Sequence, residues 1–492
     1  LSETNTANET LSPTGWWSRP GGGREVLSVA APLVVSSLSW TVMTFVDRMF
    51  LNHWSGAAMA AAFVASMIWF AALCLPLGIC SYTSTFVAQY HGSAQPRRIG
   101  PAVWQGVWFA LAASPFLLAA IPFADAIFLA AGHAPSDVEL EGRYFAILCY
   151  GAPGMLLAQS LSSFYSGRGK TVVVMIVDSV FAILNVLLDW WWIFGLTVAW
   201  GDETLEVFPA WGIAGAGWAT VTATWLKAAT YLLIFVLPRY RAEFGTGHAI
   251  FDVKLFRRLL YFGGPAGVQM LLDVLGFTVF VVLVGRLGSV ENEATSLTFS
   301  ISSLAFMPVF GIGLAVSILV GQHLGEDRDR VAAQATWTAL HVSWAYMALV
   351  SIGLVFFPQL FLSGFFAGEP MSGDLTTRAA VESTALVLLR FVAAYNFLDA
   401  MAIVFVSALK GAGDTRFILL TSLVMALALG LLTWLMVDVA HAGLYGCWGV
   451  ISAWVGTIGM VFLLRFLNGS WRSMRVIEPK LVEPESDAGE FA

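Results

Sequence analysis

Val87-Ala88-Gln89-Tyr90-His91-Gly92 is followed, 233 residues later, by Val320-Gly321-Gln322-His323-Leu324-Gly325. Each stretch closes a long apolar run. Pro32 and Pro265, and Gly78 and Gly311, stand at the same offset of 233. Further along the offset becomes 244: Ser163, Gly167, Gly169 and Thr171 match Ser407, Gly411, Gly413 and Thr415. Leu187-Leu188-Asp189-Trp190 matches Leu431-Leu432-Thr433-Trp434 in that second register. One match would be chance, but a register held across several motifs marks two similar halves.

What each half contains follows from its apolar runs. The chain is 58% hydrophobic and only 12% charged, with a mean hydropathy of +0.76. Soluble domains carry about twice that charge. The apolar runs reach 20 residues or more. That is enough for a helix to cross a hydrocarbon core of roughly 30 Å. Lipid offers the backbone no hydrogen-bond partner, so such runs fold as helices. The short alternating segments of an outer-membrane barrel are missing.

Spans are expected near 26–51, 57–87, 102–123, 143–167, 172–196 and 211–237, then 258–285, 294–323, 333–357, 381–409, 415–438 and 443–467. The expectation is an all-α membrane protein with twelve transmembrane helices in two pseudo-symmetric six-helix bundles around a central cleft. Residues 26–237 form an N-lobe and 258–467 a C-lobe, joined by a polar linker, 238–257. A polar N-terminal segment, 1–25, and a polar, disordered tail, 468–492, flank them.

Lys and Arg are enriched in cytoplasmic loops. Of the 25 basic residues, 19 lie in the two ends and in the loops after the even-numbered spans. Both termini are therefore expected in the cytoplasm, in a multi-pass protein of the cell inner membrane. On that basis Asn8-Glu9-Thr10 and Asn468-Gly469-Ser470 are not glycosylation sites. Two six-span halves enter the bilayer in the same direction. Transporters use such parallel repeats, with the substrate between them.

Ionisable residues inside a span are costly and usually functional. In helix 5, Asp178, Asn185 and Asp189 share one face by their spacing. Asp47 lies in the outer part of helix 1 and Thr220 in the outer half of helix 6. With Asn185 and Asp189 they could line one N-lobe pocket. Equally, Asp47 could pair with Arg48, Asn185 and Thr220 could be packing polar groups, and Asp178 could be structural. In the C-lobe, Asp273 in helix 7 and Asp399 in helix 10 are expected near mid-membrane, with Tyr395 one turn from Asp399. They are either a pair suited to proton or Na⁺ binding, or packing acids that never meet. Pro32 marks where helix 1 can bend.

Other leads carry less. Gly167-Arg168-Gly169-Lys170-Thr171 has Phe164 where a phosphate-binding loop needs glycine, so these glycines end helix 4 in a tight turn. Gly212-Ile213-Ala214-Gly215 reads as a helix-contact surface. Cys74, Cys80, Cys149 and Cys447 lie in apolar runs and form no CxxC pair, so no disulfide framework or metal site is expected. Trp190-Trp191-Trp192 reads as an interface belt. No HExxH or Ser/His constellation supports an enzyme, and no cofactor or nucleic-acid partner is expected.

Pro32, Phe45-Val46-Asp47, Val320-Gly321-Gln322-His323-Leu324-Gly325, Ala394-Tyr395-Asn396-Phe397-Leu398-Asp399-Ala400 and Gly411-Ala412-Gly413-Asp414, in this order, resemble the multidrug and toxic compound extrusion (MATE) family of the MOP superfamily, in its NorM-like and DinF-like branches. The resemblance covers nearly all of the twelve helices. It implies a secondary active antiporter that exports organic, often cationic, compounds in exchange for Na⁺ or H⁺, as a monomer. It implies an N-lobe cation site at Asp47, Asn185, Asp189 and Thr220, and a C-lobe site at Asp273, Tyr395 and Asp399. Two departures fall on the C-lobe site: aspartate stands at 273 where NorM-like members usually have glutamate, and Thr295-Ser296 replaces a His-Gln pair. The alternative within the superfamily is a lipid-linked saccharide flippase. The acidic interior and the twelve spans speak against it.

Overall fold

The computed structural model describes residues 15–200, 203–366 and 375–478. The outermost parts of both polar ends, with Asn8-Glu9-Thr10, lie outside the described residues. In the first half the long helices are α1 (Gly23–Trp54), α2 (Gly56–Gly92), α3 (Pro96–Leu118), α4 (Pro135–Ser166), α5 (Thr171–Phe194) and α6 (Ile213–Phe235). In the second they are α7 (Val253–Gly285), α8 (Ser289–Gly325), α9 (Asp329–Phe356), α10 (Leu375–Ala412), α11 (Thr415–Trp434) and α12 (Gly443–Asn468). Eleven are long and apolar enough to cross a membrane by themselves; α6 makes the twelfth with a short helix, Pro238–Phe244, bent from it by 65°.

Local chemistry places several boundaries away from the expected ones. Helix α3 starts at Pro96, not 102, because proline suits the first helical turn, where its missing N–H costs nothing. Helix α7 starts at Val253, not 258. The Asp252 carboxylate accepts from Lys254 N at 2.9 Å and Leu255 N at 3.1 Å and so caps it. The all-α expectation holds for the fold, with one short hairpin in a connection between helices. Leu196–Trp200 and Glu203–Phe208 pair as an antiparallel β-hairpin between α5 and α6. The segment Leu-Thr-Val-Ala-Trp is β-branched and aromatic, and it lies beyond the end of the α5 span.

Residues 468–478, expected to belong to a disordered tail, are ordered. Residues to 478 fold back onto the helices: Trp471 is buried and stacks on Phe466 at 4.8 Å, and Val476 is buried. The two apolar side chains hold a stretch that its polar neighbours would otherwise leave solvated.

The repeat is realised helix for helix. In the first half α1 packs on α5, α2 on α3 and α4, α3 on α4, α4 on α6, and α5 on α6. In the second half α7 packs on α11, α8 on α9 and α10, α9 on α10, α10 on α12, and α11 on α12. Each is the counterpart of the other, six helices on. Between the lobes α1 meets α8 and α2 meets both α7 and α8.

Those interlobe contacts are built by the repeated motifs themselves. A Cβ on Gly78 of α2 would stand 2.6 Å from Gly267 Cα on α7, and one on Gly311 of α8 would stand 2.8 Å from Val34 Cα on α1. The second contact is the first moved by the 233-residue repeat. Small residues let two backbones approach this closely in lipid. The Gln89 amide donates to Gly411 O at 3.0 Å, and the Gln322 amide donates to Gly167 O at 2.7 Å. This is again one contact made twice, each glutamine reaching the helix-ending turn of the other lobe.

The core follows the same division. At the end of the molecule where α1 begins and α12 ends, one apolar cluster joins the lobes, from Val26 and Phe86 to Ile318, Phe405 and Trp471. At the other end it gives way to two: one around Leu51, Trp69, Phe145 and Ile213, the other around Phe280, Ile301, Leu388 and Trp448. The lobes share one core on that side and have separate cores on the other, so the cleft between them opens away from the start of α1.

Candidate functional site

Helix α5 carries the centre of the N-lobe pocket. Asn185 and Asp189 lie one turn apart on the face it turns inward, and both are fully buried. The Asn185 amide, oriented so that each of its atoms finds a complement, donates to Asp189 Oδ2 at 3.0 Å and accepts from Thr220 N on α6 at 3.2 Å. Asp47 of α1 stands close enough for the two carboxylates to feel each other's charge. Tyr144 of α4 sits against Asp47, Asp189 and Ser66. All four expected residues thus meet in one place, with Tyr144 as an addition.

Asp47 and Arg48 make no ion pair within 4 Å, although the Arg48 charge acts on the carboxylate from a distance. The Arg48 guanidinium lies over the Phe63 ring, 4.8 Å from its centroid. One oxygen of each carboxylate, Asp47 Oδ1 and Asp189 Oδ1, is buried with no hydrogen-bond partner. A buried acceptor left without a donor costs on the order of 1–3 kcal/mol. Two together in a low-dielectric pocket repel, and a proton or small cation between them removes that repulsion. Among the described residues no three of His, Cys, Asp and Glu cluster to hold a metal. The donors here are oxygens, the set a hard cation takes.

Asp178 is a separate matter. It accepts from Ser36 of α1 and from Tyr231 OH of α6 at 3.1 Å, and Lys227 Nζ of α6 stands 3.6 Å from its Oδ1. One turn further along α1, Ser39 Oγ lies 3.0 Å from Ser179 Oγ. This charge is balanced and its acceptors are filled. Asp178 and Lys227 are one structural unit that ties α1, α5 and α6.

In the C-lobe the two acids are not partners of each other. Asp273 accepts from Gln269, one turn back on α7, and lies near Ser422 of α11 and the Lys410 ammonium of α10. Asp399 shares its surroundings with Tyr395, which reaches Ser302 of α8. Asp273 lies beside Lys410, close to the end of α10, whereas Asp399 stands eleven residues before Lys410 on that same helix. At about 1.5 Å per residue this separates the two acids by three helical turns, so they are not at one depth. Lys410 was hidden from sequence reading because it falls at the end of its apolar run, where a lysine reads as part of a basic loop. The helix carries on through it to Ala412. Thr295 serves the packing of its lobe, accepting from Trp448 Nε1 at 3.4 Å beside the Phe299–Trp448 stack. Trp190 and Trp191 are exposed at the outer end of α5, with Trp191 packed on Phe208 of the hairpin.

The family model MatE matches residues 32–191 and again 265–435. This chain belongs to the MatE family. The two matches begin 233 residues apart and end 244 apart, the offsets of the internal repeat. Among curated relatives, multidrug resistance protein NorM of Photobacterium profundum is 30% identical, over 83% of this chain and 86% of the relative. Multidrug resistance protein MdtK of Yersinia enterocolitica is 27% identical over the same shares. A solved structure of the outward-facing conformation of a multidrug resistance MATE family transporter aligns with a TM-score of 0.80 at 16% identity. It covers 93% of this chain and 97% of its own, and the likeness is one of fold. A MatE-family fold accounts for the two lobes, the interlobe cleft and the pocket inside one lobe.

Proposed function

We propose that this MatE-family chain is a secondary active antiporter. It exports organic, often cationic, drugs or metabolites in exchange for Na⁺ or H⁺ by alternating access. The names of its curated relatives, multidrug resistance proteins, support the substrate class. The observation that carries the coupling is the pair of buried carboxylate oxygens without donors, Asp47 Oδ1 and Asp189 Oδ1.

Both termini face the cytoplasm, by the concentration of basic residues on that side. The sealed end is then cytoplasmic, and the conformation described is outward-facing. In it the N-lobe pocket takes up the coupling cation among Asp47, Asn185, Asp189 and Thr220. A cation shifts the equilibrium between two states only by its difference in affinity for them. Here α1, α5 and α6 all supply a side chain, so any rearrangement of these three helices changes that affinity. Asp399 with Tyr395, and Asp273 beside Lys410, form two separate acidic positions in the C-lobe for proton, Na⁺ or cationic substrate. The protein works as a monomer in the inner membrane, a reading supported by each acidic position being built from the helices of one lobe.

Proteoliposomes with Na⁺ and H⁺ gradients imposed separately test the reading. One gradient drives uphill export of a fluorescent organic cation in the wild type. Asp47→Asn and Asp189→Asn, which keep shape and remove charge, lose the uphill component. Full coupling in both variants would overturn the N-lobe assignment.

A further inference from the structure

On the terminal side of the N-lobe, away from the cleft, a cavity of about 450 Å³ lies between the α4–α5 turn and the short helix Pro238–Phe244. Arg168, Lys170 and Arg239 line it, with Tyr165, Tyr240 and Phe244. Arg168 is only 8% exposed. Its guanidinium lies 3.8 Å from the Phe164 ring centroid and 4.4 Å from that of Phe244, and its Nε donates to Phe164 O at 2.8 Å. The aromatic rings fix the plane of the charge without neutralising it. Among the described residues none of the three cations is within ion-pair distance of a carboxylate. Glu243, the acid on the rim, is exposed and leaves the cavity net basic.

Two further features define what would enter. Tyr165 is 2% exposed and lines the cavity, and its hydroxyl has no hydrogen-bond partner. The site thus offers a buried neutral donor beside a fixed guanidinium fork, a combination that matches phosphate oxygens. The helices that lead from the cavity also carry exposed apolar rows: Val172, Ile176 and Val180 on α5, Leu233 on α6, and Leu237 just before the short helix. Such rows suit acyl chains. Basic pockets between transmembrane helices at the membrane surface hold anionic headgroups in this way.

We propose that this cavity binds the phosphate of an anionic phospholipid, with Arg168, Lys170 and Arg239 around the headgroup and Tyr165 donating to it. The site stands apart from both lobes' acids, and nothing in it depends on what the molecule exports.

Native mass spectrometry of the full-length protein, exposed to equal amounts of phosphatidylglycerol and phosphatidylcholine, tests the assignment. The wild type retains phosphatidylglycerol in preference. Lys170→Gln with Arg239→Gln, both at exposed positions, lowers that preference roughly 25-fold, taking roughly fivefold for each cation. Arg168→Gln lowers it as well, but the double variant decides the question because it leaves the aromatic cage in place. An unchanged preference in the double variant would overturn the proposal. So would displacement of the lipid by inorganic phosphate at millimolar concentration, which would assign the cavity to a soluble anion.

Discussion

In the proposed cation site the buried carboxylate oxygens of Asp47 and Asp189 are the charged donors, and their neighbours complete the set. Thr220 stands at the edge of the pocket and gives Asn185 its backbone N–H. Thr220→Val keeps that backbone bond and the side-chain shape while removing one oxygen. The half-saturating concentration of the coupling cation in vesicle transport is then expected to rise roughly tenfold, as one lost hydrogen-bond-sized contact implies. An unaltered value would place the hydroxyl outside the site. The sequence made part of this legible. The four-residue spacing of Asn185 and Asp189 puts them on one helical face. Asp47 and Thr220 come from other helices: their place in the outer part of their spans allowed one shared pocket, and the family resemblance implied it. Tyr144 gave no signal, being one aromatic among many in an apolar chain. Arg48 was misleading in a different way: adjacency to Asp47 suggests a pair, yet neighbours on a helix point in different directions, and Phe63 takes the guanidinium.

Between helices, two polar devices tie the bundle together. The first is Asp178 with Lys227, Tyr231 and Ser36. Lys227→Leu strands the carboxylate, and the thermal midpoint in detergent falls by the equivalent of ~1–3 kcal/mol. Asp178→Leu combined with Lys227→Leu recovers most of that loss, because removing both charges leaves nothing unpaired. If the double variant were as unstable as the sum of the single ones, the two residues would not be partners. The second device is the exchanged pair of glutamine bonds, Gln89 to Gly411 and Gln322 to Gly167. Gln89→Ala with Gln322→Ala weakens the seal on one side only. Spin labels at exposed positions 97 and 330 should then show a larger fraction of long cross-lobe distances at that face than in the wild type. An identical distribution would mean the glutamines do not hold the lobes. The motif that first revealed the repeat was legible as a motif, but its role was not. Its partners lie on the other lobe, and no spacing along one helix points there.

At the scale of the whole molecule, the repeat supplies a symmetric frame and the acids break it. At the repeat offsets Asp47 faces Phe280, Asp189 faces Thr433, Asp273 faces Trp40 and Asp399 faces Met155. The two lobes therefore have the same helix packing and different interiors. Twelve spans and their pairing into halves could be read from hydropathy and register. Which end is closed could not, because hydropathy along each helix marks what faces lipid or core and says nothing of how the two lobes tilt. The C-lobe acids show a related limit. Depth counted from an apolar run assumes the helix stops with the run, and both α7 and α10 extend beyond it.

If the N-lobe carboxylates hold the cation that drives export, the coupling must be reciprocal. A cation gradient that drives the substrate implies a substrate gradient that drives the cation. The decisive measurement imposes a gradient of a transported organic cation across sealed proteoliposomes, with Na⁺ and H⁺ initially equal on both sides and the membrane potential clamped. Internal Na⁺ and pH are then followed together. One of the two ions is expected to move opposite to the substrate, and Asp189→Asn to abolish this movement. Substrate crossing the membrane with neither ion moving in the wild type would contradict coupling through the N-lobe.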